Sequence, residues 1–318
     1  METLDNFFNA QLATWQLAND HYNALHYVRQ KDLQVNGVPY RVQFNPARLV
    51  SSCAKVDAQS IAARPCFLCP QNLPIAQQSL SFNGHYNVLV NPFPIFPQHF
   101  TIAERTHREQ LIAPRFADMI DLADTMNGYA VFYNGPRCGA SAPDHAHFQA
   151  VSKAFLPLVN EWRRRKGDCL GRCGAATLWS LPADPRHPLF IESANRIDTE
   201  QLFGRIYQAL DVPDGDREPM MNVLAWVASD SIDSHWVVCV FPRTKHRPAC
   251  YTAEGDANCL ISPASVDLAG VFITPREADF ERITAGDITR ILTEVCLTDE
   301  DFETIKQRIP INNLTSLD

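Results

Sequence analysis

Apolar positions near the start of the chain recur every three or four residues. They are Leu4, Phe8, Leu12, Trp15, Ala18, Tyr22 and Leu25. Side chains at this spacing share one face of an α-helix, so the pattern predicts an amphipathic helix over residues 3–28. From residue 38 the apolar and polar positions alternate instead, which predicts a β-strand over residues 38–44.

Short extended segments follow, separated by helices and loops. Strands are predicted at residues 86–90, 99–103, 129–133 and 145–151. A helix is predicted at residues 113–127, and further helices over residues 277–308 are predicted to close the chain. The density of proline over residues 91–97 favours a loop. Helices and strands mixed in this order indicate the α+β fold class.

The second half of the chain repeats part of this order. The recurring segments are Asn-Val-Leu at 87–89 and 222–224, histidine with an aromatic residue at 99–100 and 235–236, and a basic cluster at 105–108 and 243–247. We therefore predict two copies of one α+β unit, the first over residues 1–154 and the second over residues 201–318. Residues 155–200 are then an insertion or linker. Short matches of this kind also arise by chance, so an unduplicated sheet stays open.

Composition narrows the class of protein. The chain has 318 residues, of which 46% are hydrophobic and 20% charged, as is typical of a globular protein with a sizeable core. Its formal net charge of −8 argues against nucleic-acid binding. No apolar run approaches the roughly 20 residues of a membrane span, and the acidic segment 1–5 is unlike a secretory signal. We therefore expect a cytoplasmic protein that binds neither nucleic acid nor membranes.

Residues 134–150 carry the most informative chemistry. In a strand, His145, His147 and Gln149 would project from one face, since successive side chains of a strand alternate. The glycine-containing loop 135–141 before them offers backbone N–H groups that can surround phosphate oxygens. A solvated outer face gives the same alternation, so the pattern alone leaves a purely structural role open.

The full stretch resembles a known active-site strand. Its spacing, Asn-Gly-x-x-x-Gly-x-Ser-x-x-x-His-x-His-x-Gln from Asn134, resembles the His-x-His-x-Gln branch of the histidine-triad (HIT) superfamily. That branch contains galactose-1-phosphate uridylyltransferases, dinucleoside-tetraphosphate phosphorylases and GDP-hexose phosphorylases, including the plant GDP-galactose enzymes. Residues 262–273, 277–281 and 292–302 are similar to the C-terminal segment of the GDP-hexose phosphorylases. Together the matches touch residues 44–150 and 220–305.

The resemblance implies both a fold and a set of catalytic residues. The expected fold is HIT-like, with two HIT-like halves of antiparallel sheet and flanking helices. The second histidine of the pair, His147, is implied to be the nucleophile that attacks the α-phosphorus of a nucleotide. Gln149 and Ser141 are implied to assist catalysis, and Asn134 and Gly139 to bind the nucleotide or its phosphates.

Basic residues and a metal complete the expected site. Arg48 and Lys55 are candidates for phosphate binding, with ordinary surface charge as the alternative. The Cys-x-x-Cys pair at 66–69 resembles that of the uridylyltransferases, in which two histidines complete a zinc site. The residues implied to bind a structural zinc ion are Cys66, Cys69, His107 and His145. Two thiolates with two imidazoles suit tetrahedral zinc. The GDP-hexose phosphorylases lack this cysteine pair, so the sequence combines the signatures of two subfamilies.

The resemblance implies a ping-pong reaction on a nucleoside-diphosphate sugar. With inorganic phosphate as the acceptor, the protein would be a GDP-hexose phosphorylase, which is the preferred hypothesis. A sugar 1-phosphate acceptor would make it a hexose-1-phosphate uridylyltransferase, and a dinucleoside-polyphosphate phosphorylase is a further alternative. A non-catalytic nucleotide-binding module is the alternative of another class. The oligomeric state stays open, with a homodimer as one option.

Overall fold

A single long antiparallel sheet runs through the molecule. The computed structural model describes residues 2–49, 56–165, 167–229 and 234–312. The strands among them are β1 (Arg29–Val35), β2 (Val38–Phe44), β3 (Ser79–Phe82), β4 (Tyr86–Val90), β5 (His99–Glu104), β6 (Tyr129–Asn134), β7 (His147–Ser152), β8 (Asp168–Cys173), β9 (Ala176–Ser180), β10 (Leu189–Ser193), β11 (Met221–Ser229), β12 (Ser234–Pro242) and β13 (Val271–Thr274). Ten of them form the long sheet, in the order β3-β4-β5-β7-β6-β11-β12-β10-β9-β8. All neighbours in it are antiparallel.

Helices cover both faces of this sheet. They are α1 (Glu2–Thr14), α2 (Gln16–Ala24), α3 (Ala58–Ala62), α4 (Phe116–Thr125), α5 (Pro157–Arg165), α6 (Arg196–Ala209), α7 (Ser265–Leu268), α8 (Glu277–Arg282), α9 (Ala285–Val295) and α10 (Asp299–Arg308). Apolar residues of α1, α2, α4, α6 and α10 pack on one face. On the other face lie α5, α7, α8 and α9, together with a small sheet of order β1-β2-β13. The predicted α+β class with antiparallel sheets and flanking helices is confirmed.

The strand order of the long sheet repeats about its centre. From the β6–β11 junction outward, one side reads β6, β7, β5, β4, β3 and the other reads β11, β12, β10, β9, β8. A helix precedes each of the two central strands along the chain: α4 precedes β6, and α6 precedes β11. Equivalent order with equivalent helix placement is what two copies of one α+β unit produce.

The predicted boundaries of the two halves differ from this pattern in one respect. Residues 155–200, predicted as an insertion or linker, contribute α5 and the three strands β8, β9 and β10 to the molecule. The recurring segments of the sequence pair β4 with β11 and β5 with β12, which occupy non-equivalent places in the sheet. The bounds 1–154 and 201–318 therefore stay a prediction, whereas the repeated strand order is observed.

Two local differences have simple causes. The predicted helix 3–28 is two helices that break at Trp15, whose backbone is extended (φ −122°, ψ 94°). The apolar spacing continues across the break, so periodicity could not show it. The hairpin between β1 and β2 was not predicted, because β1 is largely exposed and polar. Its turn residues Asn36 and Gly37 both have positive φ, 50° and 78°, as a two-residue hairpin turn requires.

Within the described ranges, no helix combines the length and the apolar content needed to cross a membrane.

Candidate active site and metal centre

The predicted nucleophile is the first residue of β7. This strand lies between β5 and β6, and His147 is paired with Ala103 of β5. The strand begins at His147, two residues later than predicted, so His145 lies in the loop before it. Phe148 is buried in the core beneath one face, while His147 and Gln149 point to the other. The predicted alternation therefore comes from a strand that is covered on both faces, not from a solvated one.

The hydrogen bonding of His147 assigns different roles to its two ring nitrogens. Nδ1 lies 2.8 Å from the backbone oxygen of His145. Because a carbonyl oxygen only accepts hydrogen bonds, Nδ1 carries the proton and Nε2 keeps a lone pair. Burial lowers the pKa of His147 to about 4, against the opposing effect of this hydrogen bond. The imidazole is thus neutral near pH 7, with Nε2 available as a nucleophile.

The amide of Gln149 is oriented by a second buried histidine. His99 Nδ1 accepts a 3.4 Å hydrogen bond from the backbone N–H of Ile95, so His99 Nε2–H donates to Gln149 Oε1 at 2.8 Å. The Gln149 nitrogen is then free of this contact and can donate towards a ligand. Burial, together with the nearby Arg48 charge, lowers the pKa of His99 to about 3 and keeps it neutral. The sequence did not predict the contact between His99 and Gln149, because only the register of β5 against β7 brings these two residues together.

The glycine-containing loop is fixed against the start of α7. Gly139 has φ +94°, and a Cβ there would lie 2.5 Å from the Cβ of Ala264, so only glycine fits. The buried Asn134 side chain accepts hydrogen bonds at Oδ1 from the backbone N–H of Ser265 and from Asn222 Nδ2, both at 2.9 Å. Asn134 thus joins the end of β6 to β11 and to the start of α7. Ser141 lies half-buried in the same loop.

The two basic candidates for phosphate binding are Arg48 and Lys55. Arg48 donates from Nη1 to the backbone oxygen of Phe93 at 2.7 Å. Its charge is near enough to lower the pKa of His99, the residue that contacts Gln149. Burial lowers the pKa of Arg48 to about 10, which leaves it charged at neutral pH. Lys55 lies outside the described residues.

Four side chains form a compact group of candidate metal ligands beside β7. The ligand atoms of Cys66, Cys69, His107 and His145 all lie within 4.8 Å of one another. Cys66 Sγ is 3.2 Å from His145 Nδ1, and Cys69 Sγ is 3.2 Å from His107 Nδ1 and 3.5 Å from His145 Nδ1. Sulfur and nitrogen ligands of a tetrahedral zinc ion stand about 3.5 Å apart. The predicted residues are thus brought together in a group that could hold a metal ion.

Surrounding groups orient these ligands. His145 Nε2 lies 2.6 Å from the backbone oxygen of Glu104, so Nε2 carries the proton and Nδ1 faces the thiols. His107 Nε2 is 3.9 Å from Asp144 Oδ2, and Asp144 Oδ1 accepts from Arg64 at 2.9 Å. Burial raises the pKa of the Cys66 thiol, but the hydrogen bonds with the His145 ring and the Leu68 backbone, together with the His145 charge, outweigh burial and lower the pKa to about 6. Burial and the neighbouring Cys66 raise the pKa of the Cys69 thiol to about 11 instead. The surroundings thus favour the thiolate form that a metal requires at Cys66 but not at Cys69.

The buried carboxyl group of Glu218, which the sequence reasoning missed, lies near the loop 135–141. Glu218 contacts the Tyr133 hydroxyl and accepts from the backbone N–H of Ile112 at 2.9 Å. It lines a cavity of about 280 Å³ that residues 135–138 also border. Burial raises the pKa of Glu218 to about 7, although both hydrogen bonds oppose the shift. A carboxyl group of this kind is protonated in the folded protein at mildly acidic pH.

Glu218→Gln should therefore change how stability depends on pH. The folded-state pKa is raised above the unfolded value of about 4.3, so the contribution of Glu218 is fully present below that value and is lost as pH rises through about 7. From pH 5 to pH 8, the free energy of unfolding of the wild type should fall relative to the variant by on the order of 2 kcal/mol. Urea unfolding of both proteins at the two pH values measures this. An equal difference at both would contradict the assignment.

Two family models and a curated relative are similar to parts of this chain. A family model described as "Domain of unknown function (DUF4922)" matches residues 7–152, and a model described as "GDPGP1-like, C-terminal domain" matches residues 227–314. Diadenosine 5',5'''-P1,P4-tetraphosphate phosphorylase 2 of Saccharomyces cerevisiae is 29% identical over 190 residues, which are 54% of this chain. The match spans 57% of the length of that curated relative.

The fold is similar to a solved phosphorylase structure. The crystal structure of yeast Ap4A phosphorylase Apa2 superposes with a TM-score of 0.59 at 17% identity, covering 89% of this chain and 96% of that one. The structure of Apa2 in complex with Ap4A gives a TM-score of 0.51 at 18% identity, over 89% of this chain and 97% of the other. The chain therefore has the HIT-like fold that the sequence predicted.

Proposed function

We propose that this protein is a nucleotidyltransferase of the phosphorylase type that works through a nucleotidyl-His147 intermediate. The observation that carries the proposal is the hydrogen bonding of His147. Its Nδ1–H is bound to the His145 carbonyl, which leaves Nε2 as the only ring atom with a lone pair. A simple nucleotide-binding module needs no nucleophile there, whereas an enzyme that forms a phosphoramidate does.

The reaction proceeds in two displacements at the α-phosphorus. His147 Nε2 first attacks the phosphorus of a nucleoside-diphosphate sugar, forming a P–N bond as the P–O bond to the sugar 1-phosphate breaks. An oxygen of inorganic phosphate then attacks the same phosphorus and the P–N bond breaks. The products are a nucleoside diphosphate and a neutral His147, so the sum is nucleotide sugar plus phosphate to nucleoside diphosphate plus sugar 1-phosphate.

Several donors are available to offset the charge that develops on the phosphate oxygens. The Gln149 amide nitrogen is turned away from His99, and the hydroxyl of Ser141 and the loop amide of Gly139 lie in the loop before β7. Arg48 adds a positive charge near His99. Donors fixed in place before the reaction stabilise such charge most effectively. Asn134 acts by holding the loop, and Lys55 stays a candidate on sequence grounds alone.

The metal ion that Cys66, Cys69, His107 and His145 would hold is inferred to be zinc. Two cysteines and two histidines at tetrahedral separations are a donor set that zinc prefers. With four protein ligands no coordination position remains for water or substrate, so the ion supplies folding energy and not chemistry. It would fix the loop that carries His145 and Asp144.

GDP-hexose with phosphate is the proposed substrate pair. The match of residues 227–314 to the GDPGP1-like model covers the segment that resembles the GDP-hexose phosphorylases. A dinucleoside polyphosphate is the second candidate, favoured by the yeast tetraphosphate phosphorylase relative. A hexose-1-phosphate uridylyltransferase is favoured by the cysteine pair alone. The cytoplasmic location and a homodimer stay predictions.

A substrate panel tests the proposal. GDP-glucose, GDP-mannose, GDP-galactose, UDP-glucose and diadenosine tetraphosphate are each incubated with protein and phosphate, and nucleoside diphosphate is measured by chromatography. We expect phosphate-dependent release of GDP at the highest rate, because the C-terminal segment resembles the GDP-hexose enzymes. Faster release of ADP would assign the dinucleotide activity. In a parallel reaction with UDP-glucose, in which galactose 1-phosphate replaces phosphate, formation of UDP-galactose would assign the uridylyltransferase. Tight binding without any turnover would assign a binding module.

A further inference from the structure

The backbone pairing between β6 and β7 ends just beside His147. The pairing of β6 with β7 runs from Tyr129–Ser152 to Phe132–Gln149 and then stops. Continuing the same register would place Asn134 opposite His147, but the loop 135–146 begins there and no such backbone pair forms. A gap in a ladder leaves backbone N–H and C=O groups that need other partners when they are buried.

One side chain fills this gap. Gln110 Nε2 donates to the backbone oxygens of Asn134 and His147, both at 3.0 Å. Gln110 Oε1 accepts from the backbone N–H of His147 at 2.7 Å. The amide thus bonds both strands at the position of the missing pair, and its two N–H groups and its oxygen are all used.

The Gln110 side chain is itself held firmly. Gln110 is 1% exposed. Its backbone oxygen lies 3.0 Å from the Tyr133 hydroxyl, which also contacts Glu218. A buried, fully bonded amide has one orientation, since turning it over would set the NH₂ group against the His147 N–H.

We propose that Gln110 is a positioning residue that fixes the direction of the reactive imidazole. The proposal rests on the proposed function of His147. Gln110 binds both backbone groups of His147, and the third contact is from Nδ1 to the His145 carbonyl. These three bonds define the plane of the peptide and the rotamer, and therefore where Nε2 points. A misplacement of about 1 Å at a reacting atom can lower a rate by about 10²-fold.

The test compares Gln110→Met with Gln11→Met. Gln11 is a matched control, since it is a buried amide that donates to the backbone oxygen of Ala76 and accepts from the N–H of Gln78, on α1. Both variants lose a buried amide of similar bonding. We expect similar losses of thermal stability, but only Gln110→Met should slow single-turnover nucleotidylation, by about 10²-fold with little change in KM.

A spectroscopic readout separates positioning from the reaction itself. In wild-type protein with nitrogen-15-labelled histidine, His147 should show a protonated Nδ1 and an unprotonated Nε2, whereas Gln110→Met should show a mixture of the two tautomers. If Gln110→Met does not fold, Gln110→Glu keeps the size and the oxygen that accepts from the His147 N–H, but it puts a second oxygen in place of the NH₂ group. The two hydrogen bonds donated to the backbone oxygens of Asn134 and His147 are then lost. An altered His147 signal in a Gln110 variant, together with a wild type that shows no turnover, would support the positioning role and reject the proposed function. Unchanged rate and unchanged His147 signal in both Gln110 variants would overturn the inference.

Discussion

His147→Ala should retain no covalent label when it is mixed with nucleotide sugar that carries radioactive phosphorus at the α-position. Wild-type protein without acceptor should retain the label in a bond that is labile in acid and stable in alkali, as a phosphoramidate is. Adding inorganic phosphate should discharge it. Turnover of the variant should fall by about 10⁴-fold or more, because removal of a nucleophile deletes the intermediate itself.

The stability of His147→Ala needs to be measured beside its activity. His147 is buried and its Nδ1 satisfies the carbonyl of His145, so alanine leaves that oxygen unpaired at a cost of about 1–3 kcal/mol. His235→Ala is the control, since His235 is half-buried and pairs with Glu192 in the second half of the sheet. The control should keep the label. Label that persists in folded His147→Ala would show that another residue is the nucleophile.

The elements that could be predicted from the sequence are those in which a few consecutive residues show a clear pattern of apolar positions. The predicted strands 38–44 and 86–90 coincide with β2 and β4, because alternation or a continuous apolar run marks a buried strand directly. The three strands within 155–200 were missed. Gly171 and a register shift between Cys169 and Gly171 interrupt the alternation of β8, so its period does not stand out.

The candidate site divides in the same way. Motif resemblance pointed to four candidate metal ligands, and in the structure their ligand atoms lie within 4.8 Å of one another. Gln110 and Glu218 were missed, and the contact of His99 with Gln149 was not predicted, because these contacts depend on how distant segments assemble. Gln110 is 37 residues from His147 in sequence, and His99 is 50 residues from Gln149. No short motif can encode such contacts, since each follows from how the whole sheet is assembled.

His145 links the four candidate metal ligands to His147, the proposed nucleophile. The His145 ring contributes Nδ1 to the ligand group and Nε2–H to the Glu104 carbonyl, while the His145 backbone oxygen binds His147 Nδ1. Any movement of the His145 ring that turns its peptide must therefore change the hydrogen bond that sets the tautomer of His147. We therefore expect a bound metal to act on the proposed reaction through the position of this carbonyl group.

Cys66→Ser should lower the metal content, the stability and the activity together. Elemental analysis of purified wild-type protein should find close to one zinc ion per chain, and the variant should have much less. Structural zinc contributes folding energy directly, so the free energy of unfolding should fall by several kcal/mol in the variant or after chelation. Activity should fall with it, since the loop that carries the His145 carbonyl is no longer fixed.

Cys169→Ser is the matched control for this change. Cys169 is a half-buried free thiol on β8, remote in sequence from the ligand group, and its replacement should leave zinc content and activity unchanged. Chelated wild-type protein should regain stability and turnover when zinc is restored, whereas chelated Cys66→Ser should not. The reason is that three ligands without the Cys66 thiolate hold the ion too weakly to order the loop. Wild-type protein that is free of metal, fully folded and fully active would contradict the zinc proposal.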